Sequence, residues 1–351
     1  MRITEMIKPL NTAAMAEARA RQDTLTKPPG SLGRLEELSI QLAGIQGRPI
    51  PQIKHKAIIT MAGDHGVVSE KVGNWPQEVT TQMVYNFLGG GAGINVLARQ
   101  AGARVIVVDM GVATELKTDC RLVANNIGRG TGNIAVGPAM TIEQAEKAVE
   151  AGIKLVQDEA GKGLDIVGTG DMGIGNTSAS SAICAAITGQ PVAEVTGRGT
   201  GLTDEQLSHK TKVICRALEL NQPDAGNPLD VLAKVGGFEI GGLAGVMLGA
   251  AASRIPVLID GFVSGAAALI ATALCPALKD YLIASHLSAE AGHRIMLEHM
   301  GLQPLLNLNL RLGEGTGAAL GMFLVEASVR ILSEMATFAE AGVSEGDETH
   351  H

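Results

Sequence analysis

Residues 164–187 read LDIVGTGDMGIGNTSASSAICAAI, in which a short apolar run is followed by a glycine-rich loop and a helix-forming stretch of small residues. This order predicts a buried strand, a loop at its carboxyl end and a helix, the unit that α/β proteins repeat. Glycines leave the N–H groups of such a loop open, and the following helix adds its partial positive charge. The loop therefore indicates either a phosphate site or a turn that only allows tight packing of the helix on the strand.

The same loop also matches the spacing G-x-G-x-x-G through Gly168, Gly170 and Gly173. A dinucleotide-binding fold needs a second strand, ended by an acidic residue, about 20 residues further on. The corresponding region, 188–197, contains Pro191 and is too short for such a strand. The sequence therefore gives little support to a nicotinamide-dependent dehydrogenase.

Four further apolar runs without alternation resemble this strand, as expected when both faces of a parallel sheet are covered. With the first, the predicted strands are 57–62, 104–109, 164–167, 256–260 and 281–285. Helical patterns lie between them at 141–159 and 203–220, with Thr141 and Thr203 as N-caps. This alternation predicts an α/β fold with a doubly wound, mainly parallel sheet, in which ligands bind at the carboxyl ends of the strands.

The two ends of the chain lack this alternation. Residues 1–46 contain no convincing strand and predict a helix after the turn at 28–31, and residues 316–339 are helical throughout. We therefore expect a large α/β domain at 47–315 and a small helical domain built from 1–46 plus 316–345. The polar residues 346–351 are expected to form a disordered tail.

Composition excludes several classes of function. A net charge of −8 and 2% aromatic residues argue against a nucleic-acid partner. The stretch 261–278 carries no charge, but Pro276 and its small residues favour a buried helix over a membrane span. The four cysteines form no C-x-x-C pair and the N-terminus has no secretory core, so we expect a cytoplasmic protein.

Two more glycine loops carry groups suited to chemistry. The loop 197–201 precedes the helix that bears Lys210, which is either a phosphate ligand or an ordinary solvated lysine. The loop 311–317 presents Glu314 between two glycines, either as a general base or as a charge that favours a helix N-terminus. The sequence alone leaves both pairs of alternatives open.

Other polar residues follow the predicted strands as well. Asp64 and His65 are either acid–base groups or a hydrogen-bonded structural pair, and His286 and His293 lie around a helix start. No carboxylate or third histidine completes a ligand set at metal spacing, so we predict no metal site.

Nine motifs together resemble one enzyme family. They are KPPGSLGRLE (27–36), GDHGV (63–67), PQEVT (76–80), GDMGIGNT (170–177), GRGTG (197–201), GGFEIGGLAG (236–245), LIDGF (258–262), SHLSAE (285–290) and RLGEGTGA (311–318). In this order they resemble the nicotinate-nucleotide:dimethylbenzimidazole phosphoribosyltransferase family, over roughly residues 5–338.

The resemblance implies an activity and an assembly. Members of this family convert nicotinate mononucleotide and 5,6-dimethylbenzimidazole into α-ribazole 5′-phosphate and nicotinate, for the lower ligand of cobalamin, without a cofactor. They are homodimers with a parallel α/β domain and a small helical domain from both chain ends. These properties are what the resemblance leads us to expect of this chain.

The resemblance also implies roles for residues at matching positions. Glu314 matches the catalytic base. Asp171 stands where relatives usually carry glutamate, so its supporting catalytic role is an open question. The expected phosphate-binding residues are Gly173, Gly175, Asn176, Thr177, Gly199, Thr200, Gly201 and Lys210. The expected pocket for the incoming base is lined by Gln77, Met172 and Leu312.

Two alternatives remain open at the level of sequence. The chain could use another acceptor, such as adenine, a different benzimidazole or a phenol. It could also be a nucleotide-binding sensor without catalysis, which would bind the mononucleotide and release no nicotinate.

Overall fold

The computed structural model describes residues 2–199 and 201–344, in which six strands form one sheet. The order across the sheet is β3-β2-β1-β4-β5-β6, and every neighbouring pair is parallel. The strands are β1 (Lys56–Gly63), β2 (Ala103–Gly111), β3 (Leu122–Ala124), β4 (Ile166–Met172), β5 (Val257–Ile259) and β6 (Leu282–Ala284).

Helices connect the strands and form both ends of the described chain. They are α1 (Thr12–Thr24), α2 (Arg34–Gln46), α3 (Glu78–Gly89), α4 (Gly93–Ala101), α5 (Ile142–Ala160), α6 (Asn176–Thr188), α7 (Val192–Val195), α8 (Asp204–Asn221), α9 (Pro228–Val235), α10 (Phe238–Ala252), α11 (Phe262–Leu274), α12 (Ala291–Met300), α13 (Thr316–Glu334) and α14 (Phe338–Ala341).

Hydrophobic residues cover both faces of the sheet, which confirms the doubly wound α/β fold. On β1, Ile59 and Met61 belong to the apolar cluster shared with α5, α6, α10 and α11. Ile58 and Ala62 point to the opposite face and belong to the cluster shared with α2, α3, α4 and α13. Because side chains alternate along a strand, one run of apolar residues fills both layers.

All five predicted strands are present, but β4 ends later than predicted. The predicted strand stopped at residue 167, whereas β4 continues to Met172. Gly168 and Gly170 therefore lie in the strand and not in the loop. A Cβ on Gly168 would lie 2.4 Å from Ile58 Cδ1, and one on Gly170 would lie 2.2 Å from the Glu314 carbonyl oxygen. At these two positions the glycines serve close packing.

The edge strand β3 was missed because it is only three residues long and partly exposed, so it has no apolar run of its own. Helices α5 and α8 confirm the predicted N-caps. Thr141 and Thr203 each accept a backbone N–H three residues on, from Gln144 and Gln206.

Two predicted helical stretches are interrupted. The buried helix expected at 261–278 ends at Leu274 as α11, because the residue before Pro276 is disfavoured in the helical conformation. The stretch 316–339 is also broken between α13 and α14. There, Leu25 and Thr337 form an antiparallel bridge, and Thr337 caps α14.

The two ends of the chain contact each other through this bridge and through α2 and α13. Helix α13 is long and apolar enough to cross a membrane by length and composition, but 56% of that stretch is buried inside the protein. It is therefore best explained as a core helix. The division into two domains remains a prediction, and the predicted tail at 346–351 lies outside the described residues.

Candidate active site

A cleft of about 950 Å³, including its open mouth, lies beyond the carboxyl ends of the strands. All three glycine loops contribute to its walls, together with residues that follow β5 and β6. Among the predicted site residues, those that line it are Asp171, Met172, Gly173, Gly175, Asn176, Thr177, Gly199, Lys210 and Leu312. The structure thus brings the loop at 311–317 together with two loops that precede it by more than a hundred residues.

The loop at 173–177 leads directly into α6. Gly175 has a φ of 95°, a left-handed conformation that a side chain would strain, and it stands at the N-cap of the helix. Asn176 and Thr177 form the first turn and line the cleft. The positive end of the helix dipole therefore points toward this part of the cleft, which suits an anion.

Lys210 reaches the same place from α8. Its side chain is buried and its ammonium group donates a hydrogen bond to Thr177 Oγ1 at 2.8 Å. Burial lowers the pKa of Lys210 to about 8, and the nearby carboxylate of Glu290 opposes this shift. The alternative of an ordinary solvated lysine is wrong, because Lys210 is buried. Burial of an ammonium group costs desolvation free energy, which a bound anion would offset.

Gly199, in the loop at 197–201, lies beside Lys210. Gly199 and Gly201 have φ values of 51° and 104°, and a Cβ on Gly199 would lie 3.8 Å from the Lys210 ammonium nitrogen. Arg311 holds this loop by donating a hydrogen bond to the Gly199 carbonyl at 2.9 Å. Thr200, a predicted phosphate ligand, lies outside the described residues.

Glu314 lies in a strained turn before α13. Gly313, Glu314 and Gly315 have successive φ values of 78°, 65° and 99°. A non-glycine residue in the left-handed region costs about 1–3 kcal/mol, so the surrounding structure must hold it there. The backbone N–H of Glu314 donates to the Asp171 carbonyl at 3.2 Å, and its carbonyl accepts from Thr60 Oγ1 at 2.9 Å.

Glu314 is 5% exposed, and its carboxylate accepts a hydrogen bond at 3.0 Å from the N–H of Ile94, in the first turn of α4. Burial raises the pKa of Glu314, as does the charge of Asp260, while the Ile94 N–H lowers it. Its chain neighbours Leu312 and Gly313 line the cleft, whereas its own side chain is not among the described lining groups. The Glu314 side chain therefore lies directly behind the wall of the cleft that Leu312 and Gly313 form.

Asp171 is the second-last residue of β4 and lies close to this turn. Its carboxyl group accepts a hydrogen bond from Asn176 Nδ2 at 2.9 Å. Burial raises the pKa of Asp171 well above its usual value, and the negative charges of Asp260, Glu239 and Glu314 add to this. Burial and the neighbouring carboxylates therefore both oppose ionisation of Asp171.

The predicted base-binding residues are only partly brought together. Met172 and Leu312 line the cleft, and Leu312 is 60% exposed at its mouth. Gln77 is the half-buried N-cap of α3 and is not among the residues that line it. Trp75, which the sequence did not single out, lines the cleft nearby and is 53% exposed.

Several polar residues at or near the cleft were not predicted. Asp260 has no exposed surface and binds the N-terminus of α13, and Glu290, Arg198 and Arg311 line the cleft. Nothing in the local sequence around them shows what they contact. Glu290 is part of SHLSAE, one of the motifs that carry the family resemblance.

The other two polar pairs have different environments. His65 is buried and its Nε2 lies 2.6 Å from Glu239 Oε1, while Asp64 accepts the Ala113 N–H, so Asp64 and His65 serve separate contacts. His286 lines the cleft. His293 is fully buried, and burial lowers its pKa to about 3, so it is neutral.

Known proteins resemble this chain along nearly its whole length. Residues 7–343 match the family described as Phosphoribosyltransferase. The nicotinate-nucleotide–dimethylbenzimidazole phosphoribosyltransferase of Dehalococcoides mccartyi is 61% identical over 336 residues, 96% of each chain. The enzyme of the same name from Desulforudis audaxviator is 60% identical over 344 residues, 98% of each chain.

A solved structure shares the fold. The crystal structure of CobT from Thermus thermophilus superposes with a TM-score of 0.92 at 49% identity, and the match covers 95% of this chain and all of that one. Identity at this level over the full length shows the family as well as the fold. The chain therefore belongs to the nicotinate-nucleotide–dimethylbenzimidazole phosphoribosyltransferase family, as its ordered motifs predicted.

Proposed function

We propose that this enzyme transfers the 5-phosphoribosyl group of nicotinate mononucleotide to 5,6-dimethylbenzimidazole, giving α-ribazole 5′-phosphate and nicotinate. The observation that carries the proposal is the buried ammonium group of Lys210 below the 173–177 and 197–201 loops. A phosphate at the N-terminus of α6 would receive that charge together with the backbone N–H groups. Its ribose would then extend toward the turn that bears Glu314.

The phosphate-binding set comprises the residues that the sequence predicted. Gly173, Gly175, Asn176, Thr177, Gly199, Thr200, Gly201 and Lys210 form it in our proposal. A phosphate monoester carries a charge between about −1.5 and −2 at neutral pH, so one buried ammonium with helix N–H groups compensates most of it. The net charge of −8 does not oppose this, because the site is local.

The transfer requires little beyond alignment of the two substrates and one general base. Nicotinate leaves C1′ as a neutral ring nitrogen, since the pyridinium of the mononucleotide is already positively charged. The attacking benzimidazole nitrogen approaches from the opposite face, which inverts β to α. Alignment of the two rings across C1′ lowers the activation free energy by as much as ~7–11 kcal/mol, which is more than proton transfer contributes.

Glu314 accepts the proton that becomes acidic on the second benzimidazole nitrogen. A general base contributes about 10²–10⁴-fold to the rate. Because burial raises the pKa of Glu314, its carboxylate is a stronger base than a solvated glutamate. Asp171 supports the site by holding Asn176, whose side-chain amide donates a hydrogen bond to its carboxyl group.

The acceptor pocket in this proposal lies between Met172, Leu312 and Gln77. The first two present apolar side chains suited to a flat bicyclic ring. Transfer to adenine, another benzimidazole or a phenol would use the same phosphate loops. Only the residues of the acceptor pocket therefore determine which acceptor is used. A phenol has no ring N–H and would place a different demand on Glu314.

We further propose a homodimer in the cytoplasm. Val96 on α4, Phe323 on α13 and Leu312 are exposed apolar residues on adjoining elements, as in surfaces that bind a partner. All four cysteines are unpaired, which accords with a reducing compartment.

The proposal is tested by incubating the purified enzyme with nicotinate mononucleotide and a panel of bases. Products are identified by mass, and the anomeric configuration by NMR. We expect α-ribazole 5′-phosphate and one equivalent of nicotinate with dimethylbenzimidazole. Tight binding of the mononucleotide without release of nicotinate in the presence of any base would instead identify a sensor.

A further inference from the structure

The turn that bears Glu314 is held by a buried carboxylate that has no place in the reaction described above. Asp260 follows β5 and has no exposed surface. Its Oδ2 accepts the Gly315 N–H at 3.1 Å, and its Oδ1 accepts the N–H groups of Gly317 at 2.7 Å and Ala318 at 3.2 Å. One side chain therefore binds three donors at the N-terminus of α13.

These bonds bear directly on the strained conformation of Glu314. Gly315 is the last of the three left-handed residues, so the bond from its N–H fixes the point at which the turn enters the helix. On the other side, Thr60 on β1 binds the Glu314 carbonyl. Hydrogen bonds to Thr60 on β1 and to Asp260 after β5 thus hold Glu314 in a left-handed conformation that it would not adopt unaided.

We infer that Asp260 is a positioning residue for the reaction, holding the Glu314 carboxylate where it meets the acceptor base. The inference rests on the proposed function, in which Glu314 is the base. Asp260 follows a different strand from Asp171 and Thr60, and it is not among the described residues that line the cleft. Thr60 supports the same turn from β1 without adding a charge.

Asp260 also acts on Glu314 through its charge. Removal of the Asp260 charge lowers the pKa of Glu314, because that charge is one of the causes of its elevation. The other ionisable groups that face these residues are Asp171 at the end of β4 and His286, whose Nε2 lies 3.5 Å from Asp260 Oδ1. Glu239 on α10 acts on Asp171, and the N-termini of α4 and α13 add positive potential.

The experiment compares Asp260→Asn with Asp109→Asn. Asp109 is a matched control, because it too is a buried aspartate near the end of a strand that accepts a backbone N–H, from Val112, and its described hydrogen bonds do not reach α13. For Asp260→Asn we expect kcat to fall about 10²-fold, as for a misplaced catalytic group, with an unchanged KM for the mononucleotide. The acid limb of the kcat profile shifts to lower pH. Asp109→Asn changes neither kcat nor the limb.

A second variant keeps the test decisive if Asp260→Asn does not fold. Thr60→Val removes the hydrogen bond to the Glu314 carbonyl without changing charge or size, so we expect kcat to fall while the acid limb stays in place. Wild-type kcat in folded Asp260→Asn, or in Thr60→Val when Asp260→Asn is unfolded, overturns the inference. An unshifted acid limb in folded Asp260→Asn overturns it as well.

Glu314→Gln separates this inference from the proposed function. Loss of turnover in Glu314→Gln together with normal turnover in Asp260→Asn overturns the positioning role alone. Wild-type turnover in Glu314→Gln removes the base itself, and the inference falls with it.

Discussion

At the scale of the residue, burial sets the charge states around the cleft. It raises the pKa of both Asp171 and Glu314 and lowers that of Lys210, so all three groups are less charged than they would be in water. A bound phosphate restores the charge of Lys210, since an anion stabilises the ammonium form. These three groups are therefore partly desolvated, and a bound phosphate would stabilise the charged form of Lys210.

The first residue-scale prediction concerns the base. Glu314→Gln keeps the size of the side chain and loses the proton acceptor, so kcat should fall by about 10²–10⁴-fold. Binding of nicotinate mononucleotide, measured by calorimetry, should remain nearly unchanged because the phosphate loops are intact. A Glu314→Gln enzyme with normal turnover would show that another group takes the proton.

The second prediction concerns Lys210. Lys210→Ala should raise the KM for the mononucleotide about 10–100-fold, as expected for the loss of one hydrogen bond to a charged group, and the KM for the base far less. Lys212→Ala, on the exposed side of the same helix, is the control and should change neither. Equal effects of Lys210→Ala on both substrates would contradict a phosphate contact.

The pH dependence of mononucleotide binding follows from the charge of Lys210. Lys210 must carry its proton to bind an anion, and its pKa is about 8, so the ammonium is present below that pH and is lost above it. The KM for the mononucleotide should therefore rise as the pH increases through about 8. In Lys210→Ala this rise should be absent, which steady-state kinetics at several pH values will show.

At the scale of the element, close contact between helices explains much of the glycine content. Helices α5 and α10 cross with their backbones nearly touching. A Cβ on Gly152 would lie 1.9 Å from the Gly242 carbonyl oxygen, and one on Gly245 would lie 2.0 Å from the Val149 carbonyl oxygen. No side chain fits there without separation of the helices, so these glycines are required by packing and not by flexibility.

Gly152→Ala should therefore destabilise the protein strongly, by about 3 kcal/mol or more, because the overlap is with rigid backbone. Gly89→Ala is the matched control, since Gly89 is also helical but has open space around its position. It should be neutral or stabilise by up to about 1 kcal/mol. Urea unfolding followed by circular dichroism measures both. Similar stability of the two variants would contradict the packing explanation.

At the scale of the whole molecule, the chain ends and the sheet share one apolar core. Leu38 and Leu42 of α2 and Val325 of α13 are fully buried in the same cluster as Ile58 and Ile166 of the sheet. Because the terminal helices share this apolar cluster with the sheet, unfolding of these helices would also expose the apolar residues of the sheet. The predicted small domain is therefore not expected to unfold by itself.

We accordingly predict a single thermal transition by calorimetry, with equal calorimetric and van't Hoff enthalpies for the folding unit. Added nicotinate mononucleotide should raise its midpoint, because the ligand binds only the folded state. Two resolved transitions, of which only one responds to the mononucleotide, would show that the ends of the chain form an independent domain.

Much of the architecture follows from local sequence. Five of the six strands are apolar runs that can be recognised from a few consecutive residues. Thr141 and Thr203 mark the starts of their helices, because each side chain accepts a hydrogen bond from a backbone N–H three residues on. The edge strand β3 and the break after Glu334 were missed. The first is too short for a pattern, and the break after Glu334 depends on the bridge between Leu25 and Thr337, which lie far apart in the chain.

The sequence by itself determined the strand–helix alternation, the three glycine loops and, through its ordered motifs, the family. These are short-range properties, because periodicity, capping and turn chemistry act over a few residues. Only the tertiary structure decided that Gly168 and Gly170 pack against neighbouring elements, that Lys210 is buried beneath two loops, and that Asp260 holds the turn of Glu314. Each depends on contacts between segments 30 or more residues apart, and burial, which sets their charge states, exists only once those segments have met.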